Sequence, residues 1–436
     1  MKLSNLSFDS LPPIDVPFRY FITAPLFVIA IALFMIFAED VWWISRWQPN
    51  MLALTHTFTL GFIATIMLGA LFQLLPVAGG VSLLKTRLIA AFSHFFHTSG
   101  TICLVISFLS LHNLMQNLAM IFLAISFSFY ISVVLYALYK HQLTNEIVTG
   151  IKFAIIALAI TVSLGVLLQS KVAGFTWINW DRSLTNLHAL LGLIGWVAVL
   201  IITISFQVIP MFHVAPEFPL KIKKYLTKAL LLLLVLFFIF KESLLIASII
   251  IGGLLITNAF FTFYLIKILN QRKRKVSDTS VNFWQLAAIS FFAITIIYFI
   301  PEHLLPEFLV NKQAIFLTTV FIFFYVISIL EAMLLKILPF LTFTHLQQQC
   351  KFNISAMQSL PNMHEILPKR NGQLLFYFHL VSGFFLLITI FQPQLTSLLG
   401  VLWLIEFGWL WIIIIKTSYL YRCSSLRIKS ILNHSA

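Results

Sequence analysis

Long apolar runs constrain this chain more than any other feature of it. A helix needs ~20 apolar residues to cross a hydrocarbon core, and runs of that kind occur near 19–38, 51–76, 88–110, 114–139, 148–170, 184–212, 225–240, 243–269, 282–300, 312–340, 373–392 and 395–418. Helices that are apolar all round belong inside a very large core or in lipid. In lipid every backbone polar group must be satisfied within the chain, which leaves helices as the natural spanning element here. The expectation is an all-α integral membrane protein of about twelve transmembrane helices, forming a single polytopic domain over 1–436. The seventh and eighth runs are parted only by Lys241 and Glu242.

Charge adds orientation. The 436 residues are only 10% charged, yet the net charge is +14. The basic residues are scattered through short connections, so the positive-inside rule accounts for them and nucleic acid is rejected as a partner; the lipid bilayer is the partner expected. One set of alternate segments holds twenty-two of the 28 Lys and Arg residues, the other only Arg46, Lys171, Arg182, Lys241 and Lys312, and Lys336 lies within a run. That asymmetry predicts cytoplasmic N- and C-termini. Lys2 belongs to the basic set, and Pro12 and Pro13 precede a full-length first run followed by Glu39 and Asp40, so that run is read as a retained span. Cys103, Cys350 and Cys423 show no CxxC spacing, which argues against a disulfide or zinc framework. The longest connection, 341–372, is read as a structured loop at the membrane surface.

An internal repeat is visible. The second run reads GFIATIMLGALFQLLP from Gly61 to Pro76, and the sixth reads GWVAVLIITISFQVIP from Gly195 to Pro210. Gly, Ala, Phe-Gln and Pro fall at the same offsets, and the tenth run ends Leu335-Lys336-Ile337-Leu338-Pro339. Runs two, six and ten are four apart, as three pseudo-repeated four-helix units would place them, over approximately 19–139, 148–269 and 282–418; accidental matching among low-complexity helices is the alternative. In the repeat reading these three helices surround the interior, because Gln73, Gln207 and Lys336 share one depth and need protein or water around them.

Ionisable groups within spans are functional candidates by default. His56 and His188 lie near the outer ends of spans two and six. Each is either a ligand or a donor to a backbone carbonyl, and Gly192 and Gly195 clear a face beside His188 for a macrocycle edge or for a close helix. His94 and His97 share a face of span three, and His379 enters span eleven at similar depth. Three imidazoles there would bind a metal, relay protons or form a hydrogen-bonded cluster. Glu331 and Glu406 are the acids within spans, read as a proton path or as neutral acids each donating one hydrogen bond. Glu331 and Lys336, five residues apart, sit on different faces of one helix and are poor partners.

Twelve spans, a cytoplasmic N-terminus, three four-helix units and histidines at the outer ends of spans two and six together resemble the core subunit of haem-copper oxidases and nitric oxide reductases. The stretch His56-x4-Gly61-Phe62, followed by Gly69-Ala70 and Pro76, is similar to the His-x-His-Glu-Met-x-x-Gly-Phe region of NnrS-type membrane proteins, a haem-binding offshoot associated with nitric oxide stress. The likeness is architectural along the whole chain and motif-specific over roughly 51–80 and 184–216. It implies a haem ligand at His56 and a second haem or metal ligand at His188. It also implies departures: span seven has no His-His dyad, span ten has no His-x-His, Gly192 stands where a cross-linked Tyr would follow His188, and His345 is at the wrong end of its helix. The resemblance therefore implies a non-oxidase member of the superfamily in a bacterial inner membrane, binding haem, or copper or another transition metal, in respiration or nitric oxide metabolism. A secondary transporter using Glu331 and Lys336, and an accessory or assembly protein, are the competing readings.

Overall fold

The structure is a computed structural model and describes residues 12–37, 42–81, 83, 85–140, 145–172 and 183–435. Lys2, Glu39, Asp40 and Arg182 lie outside the described residues, as does the side chain of Lys171. Among the described residues there is no strand. Twelve long helices follow one another: α1 (Asp15–Phe37), α2 (Pro49–Val77), α3 (Thr86–Ser110), α4 (Asn113–Lys140), α5 (Glu146–Ser170), α6 (Leu184–His213), α7 (Leu220–Phe240), α8 (Leu244–Asn270), α9 (Thr279–Phe299), α10 (Gln313–Gln349), α11 (Lys369–Phe391) and α12 (Pro393–His434).

Eleven of these are long and apolar enough to cross a membrane, and α7 is the exception. Its first turns carry Lys221, Lys223, Lys224 and Lys228, leaving only the apolar stretch 229–240 free of charge. The connection 341–372 is shorter than the sequence suggests. Helix α10 continues to Gln349, and two short helices, Ile354–Gln358 and Met363–Ile366, bridge to α11. Asn353 and Asn362 cap these two, and Asn362 forms a capping box with Glu365.

The helices form two shells. Helix α1 packs along α12, so the outer helices close into a ring, with α3 on α4, α4 on α5, α7 on α8, α8 on α9 and α11 on α12. Inside the ring stand α2, α6 and α10, of whose most apolar stretches 89%, 72% and 89% is buried, against 28–50% for the other crossing helices. They meet around an apolar cavity of about 60 Å³ lined by Met67, Leu71, Ile201, Ile204, Leu330 and Leu334 among others. Spans two, six and ten thus share a centre. Their neighbours turn apolar side chains such as Leu33, Phe95, Ile121, Ile160 and Phe263 outward, as helices bathed in lipid do.

Each inner helix is interrupted in the same way. Residues Thr57–Ala64, Leu191–Ala198 and Phe321–Ile327 are wound as π-helix, and each stretch ends twelve residues before the proline of its own helix, Pro76, Pro210 or Pro339. A π turn accommodates an extra residue, which rotates whatever follows by roughly 100° relative to an unbroken α-helix. The first regular residues after the three stretches are Thr65, Val199 and Ser328. Two of these three are hydroxyl residues.

Candidate metal centre

Ser328, placed by the end of its π stretch, meets α11 and α12 at a wholly buried polar centre. His379 of α11, Glu406 of α12 and Glu331, one turn beyond Ser328, each have no exposed surface. His379 Nε2 is 2.8 Å from Ser328 Oγ, its Nδ1 is 2.7 Å from Glu406 Oε1, and the same Nδ1 is 3.5 Å from Glu331 Oε2. The second oxygen of Glu406 accepts from Ser382, one residue before Gly383 on α11. Gly383 is what lets α11 come this close. A Cβ there would stand 2.6 Å from the ring of Phe324. Phe323 stacks on the imidazole with centroids 4.5 Å apart and planes within 4°, and Phe283 closes another side.

The chemistry of this group follows from its charge balance. One nitrogen and one oxygen from each carboxylate lie within 4.8 Å of one another, so the three side chains could hold a metal ion. Neither oxygen of Glu331 has a hydrogen-bond partner. Two ionised carboxylates cannot share so dry a site without a counter-cation or protons, since each bare charge costs several kcal/mol to bury. In the hydrogen-bonded arrangement seen, Nδ1–H donates to Glu406 and Nε2 accepts from Ser328; a metal at Nδ1 would displace that proton. Two carboxylate oxygens and one imidazole favour a hard to borderline divalent ion over a soft one. Among the described residues this is the one group of three such ligands.

The other histidines are arranged differently. His94 and His97 do not join His379, because α3 packs with α1, α2 and α4 while α11 packs with α9, α10 and α12. The three-imidazole metal site is therefore corrected: equal depth in the membrane placed them on one level but in different parts of the ring. His97 Nε2 is 3.0 Å from Thr65 Oγ1 and 3.1 Å from Leu60 O, and His94 Nε2 is 2.9 Å from Thr23 Oγ1. Beside them the Tyr20 hydroxyl lies 2.9 Å from Ser93 Oγ, the Tyr20 ring meets the His94 ring edge-on at 4.9 Å, and Ser126 donates to the Ser93 carbonyl. His97 on Thr65 parallels His379 on Ser328, for both hydroxyls stand eleven residues before the proline of their helix.

His56 and His188 do meet. Their rings lie 6.3 Å apart, centroid to centroid, with planes 25° from parallel. Each Nδ1 faces a backbone carbonyl, Leu52 at 2.8 Å for His56 and Thr161 at 3.0 Å for His188, so Nδ1 is the protonated nitrogen and Nε2 carries the free lone pair. The flanking glycines serve a close helix: a Cβ at Gly192 would stand 3.2 Å from Thr161, and one at Gly195 would stand 2.9 Å from Ala157, both on α5. The side of His188 that these glycines line is thus filled by a helix.

At the opposite end, Lys336 pairs with Asp278 at 2.5 Å, and His213 Nδ1 lies 3.8 Å from the same carboxylate. Burial pushes the Asp278 carboxyl up, but Lys336, Ser280 and His213 outweigh it and hold the carboxyl below its usual value of 3.8. Gln73 is buried with both amide atoms unpartnered, beside a small cavity lined also by Met211 and Phe340, and Gln207 is half-buried. Asp278, Ser328, Ser382 and Thr65 were not singled out in the sequence. The two serines and the threonine carried one signal, a hydroxyl within a helical turn or so of an intramembrane histidine or at a fixed offset from a repeated proline.

Compared with protein-family models the chain matches none, and compared with curated proteins it also finds no match. Its function must be argued from its own side chains.

Proposed function

We propose that this multi-pass membrane protein binds a divalent transition-metal ion on Glu331, His379 and Glu406. The observation that carries the reading is the buried Glu331 carboxyl, neither of whose oxygens has a hydrogen-bond partner and whose Oε2 lies 3.5 Å from an imidazole that already serves Glu406. The same reading places the chain in a bacterial inner membrane with both termini cytoplasmic, in line with the Lys and Arg asymmetry, with α7 as the twelfth span. It takes the chain as three pseudo-repeated four-helix units, supported by the common spacing from π stretch to proline in α2, α6 and α10. That arrangement accords with a non-oxidase relative of oxidase core subunits acting in respiration or nitric oxide metabolism. The test is the metal content of purified protein after incubation with manganese, iron or zinc and removal of the excess. One equivalent per chain is expected, and a Glu331→Gln/Glu406→Gln variant should hold at most a tenth of it. Equal metal in both proteins would sink the site.

A second reading, haem on His56 and His188, is favoured by the facing rings with both Nε2 atoms free. The packing of α5 on Gly192 and Gly195 restricts it to an edge other than the one these glycines line. An absorption spectrum decides: a Soret band that disappears in His56→Ala/His188→Ala supports haem, and a colourless preparation from haem-replete cells rejects it.

A further inference from the structure

Helix α7 carries a lysine stripe on the wrong face for an ordinary protein contact. Its buried residues, Ile222, Leu226, Leu230, Leu234 and Phe237, face the bundle. Its exposed residues run Lys221, Lys224, Tyr225 and Lys228, and then continue at helical spacing through Leu232, Val235 and Ile239. One outward face therefore begins as cations and continues as apolar side chains. Helix α8, joined to α7 by a tight turn at Lys241–Ser243, ends beside the start of α7 and adds Lys267 on its own exposed face. The loop beyond it bears Lys273 and Arg274, and the Lys273 N–H donates to the Val214 carbonyl at 3.0 Å, which ties this loop to the end of α6.

Some of the neighbouring cations are already engaged. Lys223 pairs with Glu217 at 2.8 Å, and Arg272 and Lys275 donate to the carbonyls of Leu269 and Asn270 at the end of α8. Lys224 and Lys267 rest over the rings of Tyr225 and Tyr264, neutral partners that leave both charges uncompensated. Lys221, Lys228, Lys273 and Arg274 meet no carboxylate among the described residues. Cations within the first turns of a membrane helix need counter-charge, and long lysine side chains reach it by extending towards the headgroup layer.

We propose that the outward face of α7, with Lys267 and Arg274 beside it, is a docking surface for anionic phospholipid, with headgroup phosphate on Lys221, Lys224 and Lys228 and acyl chains along Leu232, Val235 and Ile239. The inference rests on the chain lying in a bilayer and is independent of the metal centre. A free phosphate would answer the lysines but not the apolar continuation of the same stripe; a phospholipid answers both. It also explains how a helix with only the stretch 229–240 free of charge completes a crossing: lipid phosphates neutralise the turns before it.

The test is native mass spectrometry of the detergent-purified full chain with phosphatidylglycerol and phosphatidylcholine added in equal amounts. Wild type is expected to retain phosphatidylglycerol preferentially, and the preference should fall by about fivefold for each lysine lost in K221Q, K224Q and K228Q. The charge-conserving K221R/K224R/K228R variant should keep it, and so should K223Q, whose lysine faces Glu217. In wild type the preference should weaken as sodium chloride is raised, a readout that needs no variant to fold. An unchanged preference in the glutamine variants, indifference of wild type to salt, or competition by inorganic phosphate as effective as by phosphatidylglycerol would overturn the proposal.

Discussion

A carboxyl group without a hydrogen-bond partner in the middle of a membrane protein is destabilising, and Glu331 bears two such oxygens. Its neighbour Glu406 is fully engaged, by His379 through one oxygen and Ser382 through the other. The two glutamates should therefore respond in opposite ways. Glu331→Gln removes an unsatisfied acid and should leave the metal-free protein as stable as wild type or more so, while metal binding falls at least tenfold. Glu406→Ala strands the imidazole N–H, while the Ser382 hydroxyl keeps the Phe378 carbonyl at 2.9 Å as an acceptor, and should cost about 1–3 kcal/mol. Thermal unfolding with and without metal reads both, and a destabilised Glu331→Gln would mean that those oxygens have partners after all. Each of Glu331, His379 and Glu406 was visible in the sequence as a polar residue inside an apolar run. Their grouping was not, since they come from three helices, and the sequence favoured the wrong partners for His379.

Helix register brings those residues together. The π stretch at Phe321–Ile327 turns Ser328 and Glu331 towards α11, and Gly383 lets α11 approach until Phe324 fills the place of a side chain. Gly383→Val should push the two helices apart, lower stability by about 1–3 kcal/mol and weaken metal binding with it. Gly372→Ala on the same helix, where the nearest atom to a new Cβ is at 3.4 Å, should be close to neutral in both assays. The junction of α6, α9 and α10 at Asp278 makes a pH prediction. Its carboxyl is depressed in the folded state, so the stability it contributes is whole above the unfolded value of 3.8 and is lost as pH falls through the lower folded value. Asp278→Asn keeps the cap on α9 but loses the charge opposite Lys336, which should cost about 1–2 kcal/mol at pH 7. The difference from wild type should shrink below pH 4; a constant difference down to pH 2 would show that the charge is irrelevant. The repeated prolines and the Phe-Gln pairs were legible in the sequence, but a π turn leaves no mark in hydropathy, because it changes the winding of a helix without changing its residue types.

At the scale of the molecule, the outer ring closes where α1 meets α12, and α2, α6 and α10 fill its axis. Membrane-impermeant maleimide tests the orientation proposed for this bundle. The exposed Cys423 should react in inverted membrane vesicles and stay unlabelled in right-side-out ones. In a variant with its native cysteines replaced, Glu242→Cys, at the turn between α7 and α8, should show the reverse. Labelling of both from one side would mean that α7 turns back without crossing. Run lengths and residue types by themselves determined that the chain is helical, that lipid is its solvent and which buried polar residues are unusual, because burial in hydrocarbon depends on composition along one dimension. Which of those residues meet was decided only by tertiary structure. Contact within a ring of helices depends on how far each is rotated about its own axis, and that angle is set by glycine contacts, π turns and neighbouring side chains that belong to other parts of the chain.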